Sequence, residues 1–472
     1  DAKDFDDAIS LEKNPDGTFT LGVHIADVSS FVEPDSPLDL EAENRGNSVY
    51  LPGLVLPMLP EVLSNGVCSL QPSQPRLAKS AFITYGSAGK VLKTDFASSI
   101  IRSTARLTYT EADRILKGQK TDRPLEVISL LRDMGKLAKI IETRRNSEGM
   151  LHLDLPEMEL VFDKSGRVID AHPADTSYPH TMIEMFMVEA NEAVARLLNS
   201  LNVPFMRRIH PDPDSLSLKG LSQTLKMFGV SAPKNPDRFD LQNILSHIKD
   251  KPAAFAVNIY ILRSLARAEY SPLSIGHYAL ASKHYCHFTS PIRRYADLLI
   301  HRLLNMYLEG GMKAEIPTES QLTEIGKHIS FTDRRAEDAE DDLRTVLILL
   351  LFKKRLGETL ETVVSGLANF GVFVQCIKFG VEGLIPLDLL GKDKFIYDHR
   401  EQCVYGQRSG KIFHIGMPLT VRIVSVNIAA RQLNVIPLDQ PSRAAGTMEK
   451  PKGKFAHQKK TKNNNRFRKR KK

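Results

Sequence analysis

The residues best equipped for chemistry stand in the first ten positions, Asp1-Ala-Lys-Asp4-Phe-Asp6-Asp7-Ala-Ile-Ser10. Four carboxylates fall within seven positions, and one apolar residue interrupts the run Asp4, Asp6, Asp7. Two carboxylates about 4 Å apart repel by about 4 kcal/mol at an effective dielectric of about 20. A folded chain that gathers them must raise a pKa, supply a basic side chain or bind a divalent cation. Hard oxygen ligands of this kind suit Mg²⁺, with Mn²⁺ as the alternative. The plain alternative is a solvated acidic turn. An EF-hand does not fit, because the third loop Asp/Asn and its Gly are missing.

Opposite charge comes from His287-Phe-Thr-Ser290-Pro291-Ile-Arg293-Arg294-Tyr295. Here Ser290 predicts an N-cap and Pro291 the first helical residue. The helix would bury Ile292, Tyr295, Leu299 and Leu303 and leave Arg293 on another face of its first turn. A guanidinium beside free N–H groups at a helix start binds phosphate. The neighbouring His284-Tyr-Cys286-His287 lacks a second ligand pair at finger spacing, so a zinc site is not expected. Tyr50, in Asn47-Ser-Val-Tyr50-Leu-Pro-Gly53, precedes a Pro-Gly turn that would present its ring. A presented ring stacks on a base; packing is the other use.

The elements that must hold these groups follow from periodicity. Ile9 and Leu11 alternate with polar residues, Asn14-Pro-Asp-Gly17 makes a turn, and Phe19, Leu21, Val23 and Ile25 alternate on the return. That is a β-hairpin, which puts the aspartates at a strand entrance. Residues 80–104 continue in strands, and Thr110 is the expected N-cap of the next helix. A helical, basic-ended stretch runs from Pro124 to Asn146. Residues 179–201 form an amphipathic helix with Ile183, Phe186, Met187, Ala190, Val194, Leu197 and Leu198 on its core face. Glu184 and Asn191, seven apart, would share the opposite face. The acids Glu337, Asp338, Glu340, Asp341 and Asp342 would open a helix that runs into an apolar end, where they favour its dipole. From 357 to 438, alternating stretches give five short strands with Phe370 and Phe373 on one face, the pattern of an OB-fold that binds single strands.

The 472 residues allow two to four domains. The longest apolar run, Val346 to Phe352, has seven residues, too few to span a bilayer. Cys68, Cys286, Cys376 and Cys403 make no CxxC pair, which fits a reducing cytoplasm. The net charge is +8, but residues 450–472 hold twelve Lys/Arg and no Asp/Glu, leaving −4 on the remainder (+8 less +12). So basic and weakly apolar a tail is expected to be disordered and to seek a polyanion, nucleic acid first; a solubilising tail is the alternative. The chain starts with Asp rather than Met and is expected to be a fragment.

Together these stretches resemble the RNB family of exoribonucleases, the ribonuclease II and ribonuclease R group. The matching motifs are Asp-Ala-Lys-Asp4-Phe-Asp6-Asp7-Ala, Val23-His-Ile-Ala-Asp27-Val, Tyr50-Leu-Pro-Gly53 with Pro57-Met-Leu-Pro60, Met182-Ile-Glu184, and His287-Phe-Thr-Ser-Pro-Ile-Arg293-Arg-Tyr295, in family order. The first motif and the basic tail look more like the ribonuclease R branch. The resemblance implies an α+β chain: an RNB catalytic domain (1–305, a mixed sheet with surrounding helices), a helical connection (306–356), an S1-type OB-fold barrel (357–438) and the basic tail (439–472). It implies processive 3′→5′ hydrolysis of RNA to nucleoside 5′-monophosphates, in RNA turnover and quality control, with Mg²⁺ in a two-metal site. Asp4, Asp6 and Asp7 match metal-site aspartates, with Asp6 expected to be the most sensitive. Arg293 matches the arginine that offsets transition-state charge, and Tyr50 the aromatic that clamps the terminal nucleotides. Glu184, Arg294 and Glu340 are further RNA-contact candidates, with Phe370 and Phe373 in the barrel.

The expected partner is RNA, single-stranded or with a 3′ overhang, bound by a monomer; the ribosome or RNA-decay factors are further candidates through the tail. Two departures stand out. The family has one more aspartate three residues upstream of Asp1, and Pro386 stands where a histidine is common in S1-type domains. The competing readings are an RNA-binding protein with an impaired nuclease centre and a metal-dependent phosphodiesterase acting on another substrate.

Overall fold

The structure is a computed structural model that describes residues 3–155, 157–249, 251, 253–311, 316–399 and 402–438. Asp1 and the basic tail therefore lie outside the described residues.

The first part of the chain builds β1 (Asp7–Lys13), β2 (Phe19–Ala26), α1 (Pro37–Arg45), β3 (Val49–Leu51), β4 (Leu54–Leu56), β5 (Pro75–Tyr85) and β6 (Val91–Arg102). The expected hairpin is there, with Asp7 opposite Ile25 and Lys13 opposite Phe19. Its turn works because Gly17 takes a φ of 84°, open to glycine without strain. Strands run antiparallel in the order β1-β2-β5-β6. Alternation sends Leu21, Val23, Ile25, Ala81, Ile83 and Tyr85 into the main core. At the end of β2, the buried Asp27 is paired with the equally buried Lys79 of β5 at 2.6 Å.

The core is closed by α2 (Tyr109–Leu116), α3 (Leu125–Ser147) and, after β7 (Met158–Phe162) and β8 (Val168–Pro173), by α4 (Tyr178–Ser200). Thr108, not Thr110, caps α2, its hydroxyl accepting from the Glu111 N–H at 3.2 Å. The long helices are joined by a buried ionic knot. Arg145 of α3 donates to Glu189 at 2.6 Å and to Glu192 at 3.1 Å, and the Tyr85 hydroxyl donates to Glu189 at 3.0 Å.

Then come β9 (Arg207–Ile209), α5 (Ser215–Met227), α6 (Arg238–Ile248), α7 (Ala254–Ser264), β10 (Glu269–Ser271), α8 (Tyr295–Leu308) and α9 (Glu319–Lys353). Two sequence expectations change here. Helix α8 starts at Tyr295 rather than Ser290, because Arg294 is extended (φ −137°, ψ 124°) and residues 290–294 form a turn. The acids around Glu340 do not open a helix. They lie in the middle of the 35-residue α9, whose start is a capping box of Thr318 and Gln321, so the helix dipole does not explain them.

The last part holds β11 (Thr359–Ala368), β12 (Gly371–Cys376), β13 (Glu382–Pro386), β14 (Phe395–Asp398), β15 (Cys403–Gly406), β16 (Ile412–His414), β17 (Pro418–Asn427) and β18 (Gln432–Pro437). Five of them close a barrel in the order β11-β12-β13-β18-β17. The other three, β14 to β16, form a separate sheet that periodicity missed. The apolar end of α9, including Ile348, Leu349 and Phe352, is buried in the same cluster as the barrel's Val364, Val374 and Val421. No helix among the described residues is long and apolar enough to cross a membrane.

Candidate active site

Backbone hydrogen bonds fix the acidic segment before any side chain acts. The Ala26 N–H donates to the Asp6 carbonyl at 2.8 Å, and the Leu70 N–H to the Phe5 carbonyl at 3.0 Å. Ser69 adds a hydroxyl that accepts from the Phe5 N–H and donates to the Lys3 carbonyl. Asp4, Asp6 and Asp7 thus sit on rigid chain, where side-chain directions can be held.

Asp6 is only 5% exposed. One carboxylate oxygen accepts from the Ile292 N–H at 2.9 Å, and the other lies 3.7 Å from Arg293 Nε. Burial pushes its pKa from 3.8 up to about 8, against the pull of Arg293 and the Ile292 N–H and with a further push from Asp297 and Asp7. Asp7 lies at the surface of the segment, yet the atoms crowding its carboxyl raise that pKa too. One guanidinium therefore leaves this carboxylate group short of positive charge.

Tyr50 in β3 donates its hydroxyl to Asp4 at 3.0 Å and is 37% exposed. The ring is thereby presented and tethered, and burial followed by the Asp4 charge raises its hydroxyl pKa. Arg293 leaves 43% of its side chain exposed. The turn that carries it is pinned to the chain before β3, with the Ser48 N–H donating to the Arg293 carbonyl and the Tyr295 N–H to the Gly46 carbonyl. Asp4, Asp6, Tyr50 and Arg293 are thus brought to one place from three distant stretches.

The other candidates are distributed differently. Arg294 does not share the exposure of Arg293, since its guanidinium forks onto both oxygens of the buried Asp297, each at 2.8 Å. Glu184 is exposed on α4, its pKa raised by desolvation first. Asn191, expected beside it, is buried; it donates to the Tyr285 hydroxyl and accepts from the Phe288 N–H, which fixes the approach to Ser290. Glu340 pairs with Arg344 at 3.5 Å on α9, and no described hydrogen bond or ion pair links it to the aspartates. Phe370 and Phe373 meet edge to face at 5.8 Å on the barrel, with Phe370 exposed.

Sequence reasoning passed over Tyr109. It is exposed, stacks on His180 at 3.5 Å between ring centroids, and has its hydroxyl pKa raised by burial and then by Asp7. Nearby, the Arg106 guanidinium lies over the Phe5 ring at 4.7 Å. The stretch Arg106-Leu-Thr-Tyr109 carried the signal, but it read only as the start of a helix.

The donor chemistry fits a hard divalent cation: oxygen ligands only, with a buried carboxylate lacking sufficient counter-charge. Among the described residues, no three His, Cys, Asp or Glu side chains converge into a ligand set. Asp4, Asp6 and Asp7 thus supply donors without closing a shell.

This fold belongs to a recognised class. The RNB domain family matches residues 1–310, most of the chain, and the chain belongs to that family. Within it the similarity is to ribonuclease R. The Thermotoga maritima ribonuclease R is 37% identical over 448 residues, covering 93% of this chain and 63% of that protein. The chain therefore spans less than two thirds of that relative's length. The apo form of Mycoplasma genitalium RNase R superposes with a TM-score of 0.87 at 31% identity, covering 93% of this chain and 69% of that one. The same protein in complex with ribose-methylated single-stranded RNA superposes with the same score, identity and coverage. The α+β expectation agrees with these matches.

Proposed function

We propose that this chain carries the catalytic core of a hydrolytic exoribonuclease that works processively from the 3′ end of RNA and releases nucleoside 5′-monophosphates. One observation carries the reading: Asp6 is buried, held by the Ile292 amide and faced by Arg293, with the tethered ring of Tyr50 alongside. Asp4, Asp6 and Asp7 would hold Mg²⁺, which in a two-metal site supplies an activated water and charge neutralisation for in-line phosphoryl displacement. Arg293 directs its exposed guanidinium at the non-bridging oxygens as their charge grows, and acts most strongly where water is excluded. Tyr50 stacks on the terminal base, and the Asp4 hydrogen bond keeps the ring in place. Tyr109, whose hydroxyl feels the Asp7 charge, is a further candidate for RNA contact.

The barrel of residues 357–438 serves as an S1-type module that holds single-stranded RNA on Phe370 and Phe373. Residues 1–305 form the catalytic domain, 306–356 the helical connection and 439–472 the basic tail. The substrate reading is supported by the RNA complex of the Mycoplasma relative. A cytoplasmic role in RNA turnover fits the buried thiols of Cys68, Cys286 and Cys376. A second reading, an RNA-binding protein with an impaired centre, is favoured by the absence of three converging donors among the described residues.

A ladder assay separates the two. The chain is incubated with 5′-labelled single-stranded RNA in Mg²⁺ or in chelator. Shortening from the 3′ end in Mg²⁺ alone, with mononucleotide product, is the expected outcome. RNA that is bound but uncut in Mg²⁺ would reject the enzyme and establish the second reading.

A further inference from the structure

We propose that Ser290, Arg294 and Asp297 are positioning residues: together they hold the turn that aims the Arg293 guanidinium and the Ile292 amide at Asp6. The proposal rests on the nuclease reading of Arg293.

Asp297, in the first turn of α8, is completely buried. Its Oδ1 accepts from the Ser290 N–H at 2.8 Å and from Arg294 at 2.8 Å, and its Oδ2 accepts from Arg294 Nε at 2.8 Å. One carboxylate thus closes both ends of the five-residue turn. Inside it, the N–H groups of Arg293 and Arg294 donate to the Ser290 carbonyl at 3.3 and 3.0 Å. With Arg294 extended, the turn cannot wind into α8. The turn instead directs the Ile292 N–H at Asp6, 2.9 Å away. Had the helix begun at Ser290, as its residue types suggest, this amide would point along the helix axis with the other early N–H groups.

Ser290 has a second task. Its hydroxyl accepts from Arg293 Nη2 at 3.1 Å, while Arg293 Nε faces Asp6 at 3.7 Å. A long, rotamer-rich side chain is thus gripped at two points and remains open to solvent on its other edges. Adjacent arginines divide the work. Arg293 addresses the reacting phosphate; Arg294 is spent on Asp297. A buried ion pair is a poor source of stability but a good source of fixed geometry.

The test uses Ser290→Ala, which removes one hydroxyl and leaves the backbone N–H to Asp297. Single-turnover cleavage of 5′-labelled RNA in Mg²⁺ is measured with RNA affinity, for Ser290→Ala, Arg293→Ala and the double variant. Misaiming a catalytic group by about 1 Å costs up to about 100-fold in rate, so Ser290→Ala should slow cleavage by about 10- to 100-fold with affinity changed less than about twofold. Because Ser290 acts through Arg293, the double variant should cleave at the rate of Arg293→Ala alone. Asp297→Asn, which keeps the shape and loses the charge, should give a similar rate loss at unchanged affinity. Multiplying losses in the double variant, or a wild-type rate in Ser290→Ala, would overturn the positioning role while leaving the nuclease reading intact. A wild-type rate in Arg293→Ala would overturn both.

Discussion

Asp27 and Lys79 offer the most demanding test of how the site is supported. Their side chains are 4% and 2% exposed and 2.6 Å apart. Asp27 also accepts from the Ser29 and Ser30 hydroxyls at 2.7 and 2.8 Å, and Lys79 donates to Ser98 at 2.8 Å. Asp27 directly follows Ala26, whose N–H holds the Asp6 carbonyl, so the pair anchors the strand on which the acidic segment rests. Asp27→Leu strands a buried ammonium, and breaking a buried pair from one side costs about 3–5 kcal/mol. Replacing both partners with apolar residues of similar size removes the stranded charge. Asp27→Leu with Lys79→Met should therefore recover at least about 2 kcal/mol of that loss, a coupling visible in a double-mutant cycle. The chain has no tryptophan, so urea unfolding is best followed by far-UV circular dichroism at several denaturant concentrations. A loss below about 1 kcal/mol in Asp27→Leu, or simple addition of the Asp27→Leu and Lys79→Met losses, would refute the reasoning.

Acid should destabilise the fold from about pH 6.5 downward, because desolvation lowers the pKa of His24, His210, His277, His287 and His301, that of His277 from 6.5 to about 3. The unfolded chain then binds more protons than the folded one between those values. Each such histidine removes up to about 1.4 kcal/mol per pH unit as pH falls, and melting temperatures that stay flat from pH 7.5 to 5 would contradict this. Deleting residues 450–472 should flatten the dependence of RNA affinity on salt, since each lost phosphate contact lowers the log–log slope by about 0.7 on single strands; an unchanged slope would leave the tail a solubility device. Phe370→Ala should weaken single-stranded RNA binding by about 10-fold or more, the value of one stacked base, with cleavage of saturating RNA little changed. An equal loss in the cleavage rate would place Phe370 nearer the chemistry than the barrel.

The elements legible in the sequence are those whose causes are local. The β1–β2 hairpin follows from Asn14 to Gly17 and from strict alternation, and α4 from its repeating apolar face. What failed was decided at long range. Ser290 and Pro291 have the residue types of a helix start, but Asp297 takes the Ser290 N–H and Asp6, 286 residues from Ile292, takes the next free amide. Asn191 reads as polar surface yet is consumed by Tyr285 and Phe288, about 95 residues away. Strands β14 to β16 are three or four residues each, too short for a period of two to declare itself. At the site, the aspartates, Tyr50 and Arg293 were legible as residue types in motif order. Their convergence was not, because the Tyr50–Asp4 contact spans 46 residues and the Ile292–Asp6 contact 286. Arg294 was legible only as a further RNA-contact candidate, and its pairing with Asp297 was not legible.

The most direct measurement of the central claim is single-turnover cleavage and equilibrium binding of one 5′-labelled RNA by Asp6→Asn beside the wild type, both in Mg²⁺. Asn keeps the shape that receives the Ile292 amide but removes the charge that faces Arg293. The expected result is a rate loss of about 100-fold or more, with RNA held as tightly as before or more tightly, because a carboxylate repelling the phosphate is gone. Cleavage by Asp6→Asn at the wild-type rate would contradict it.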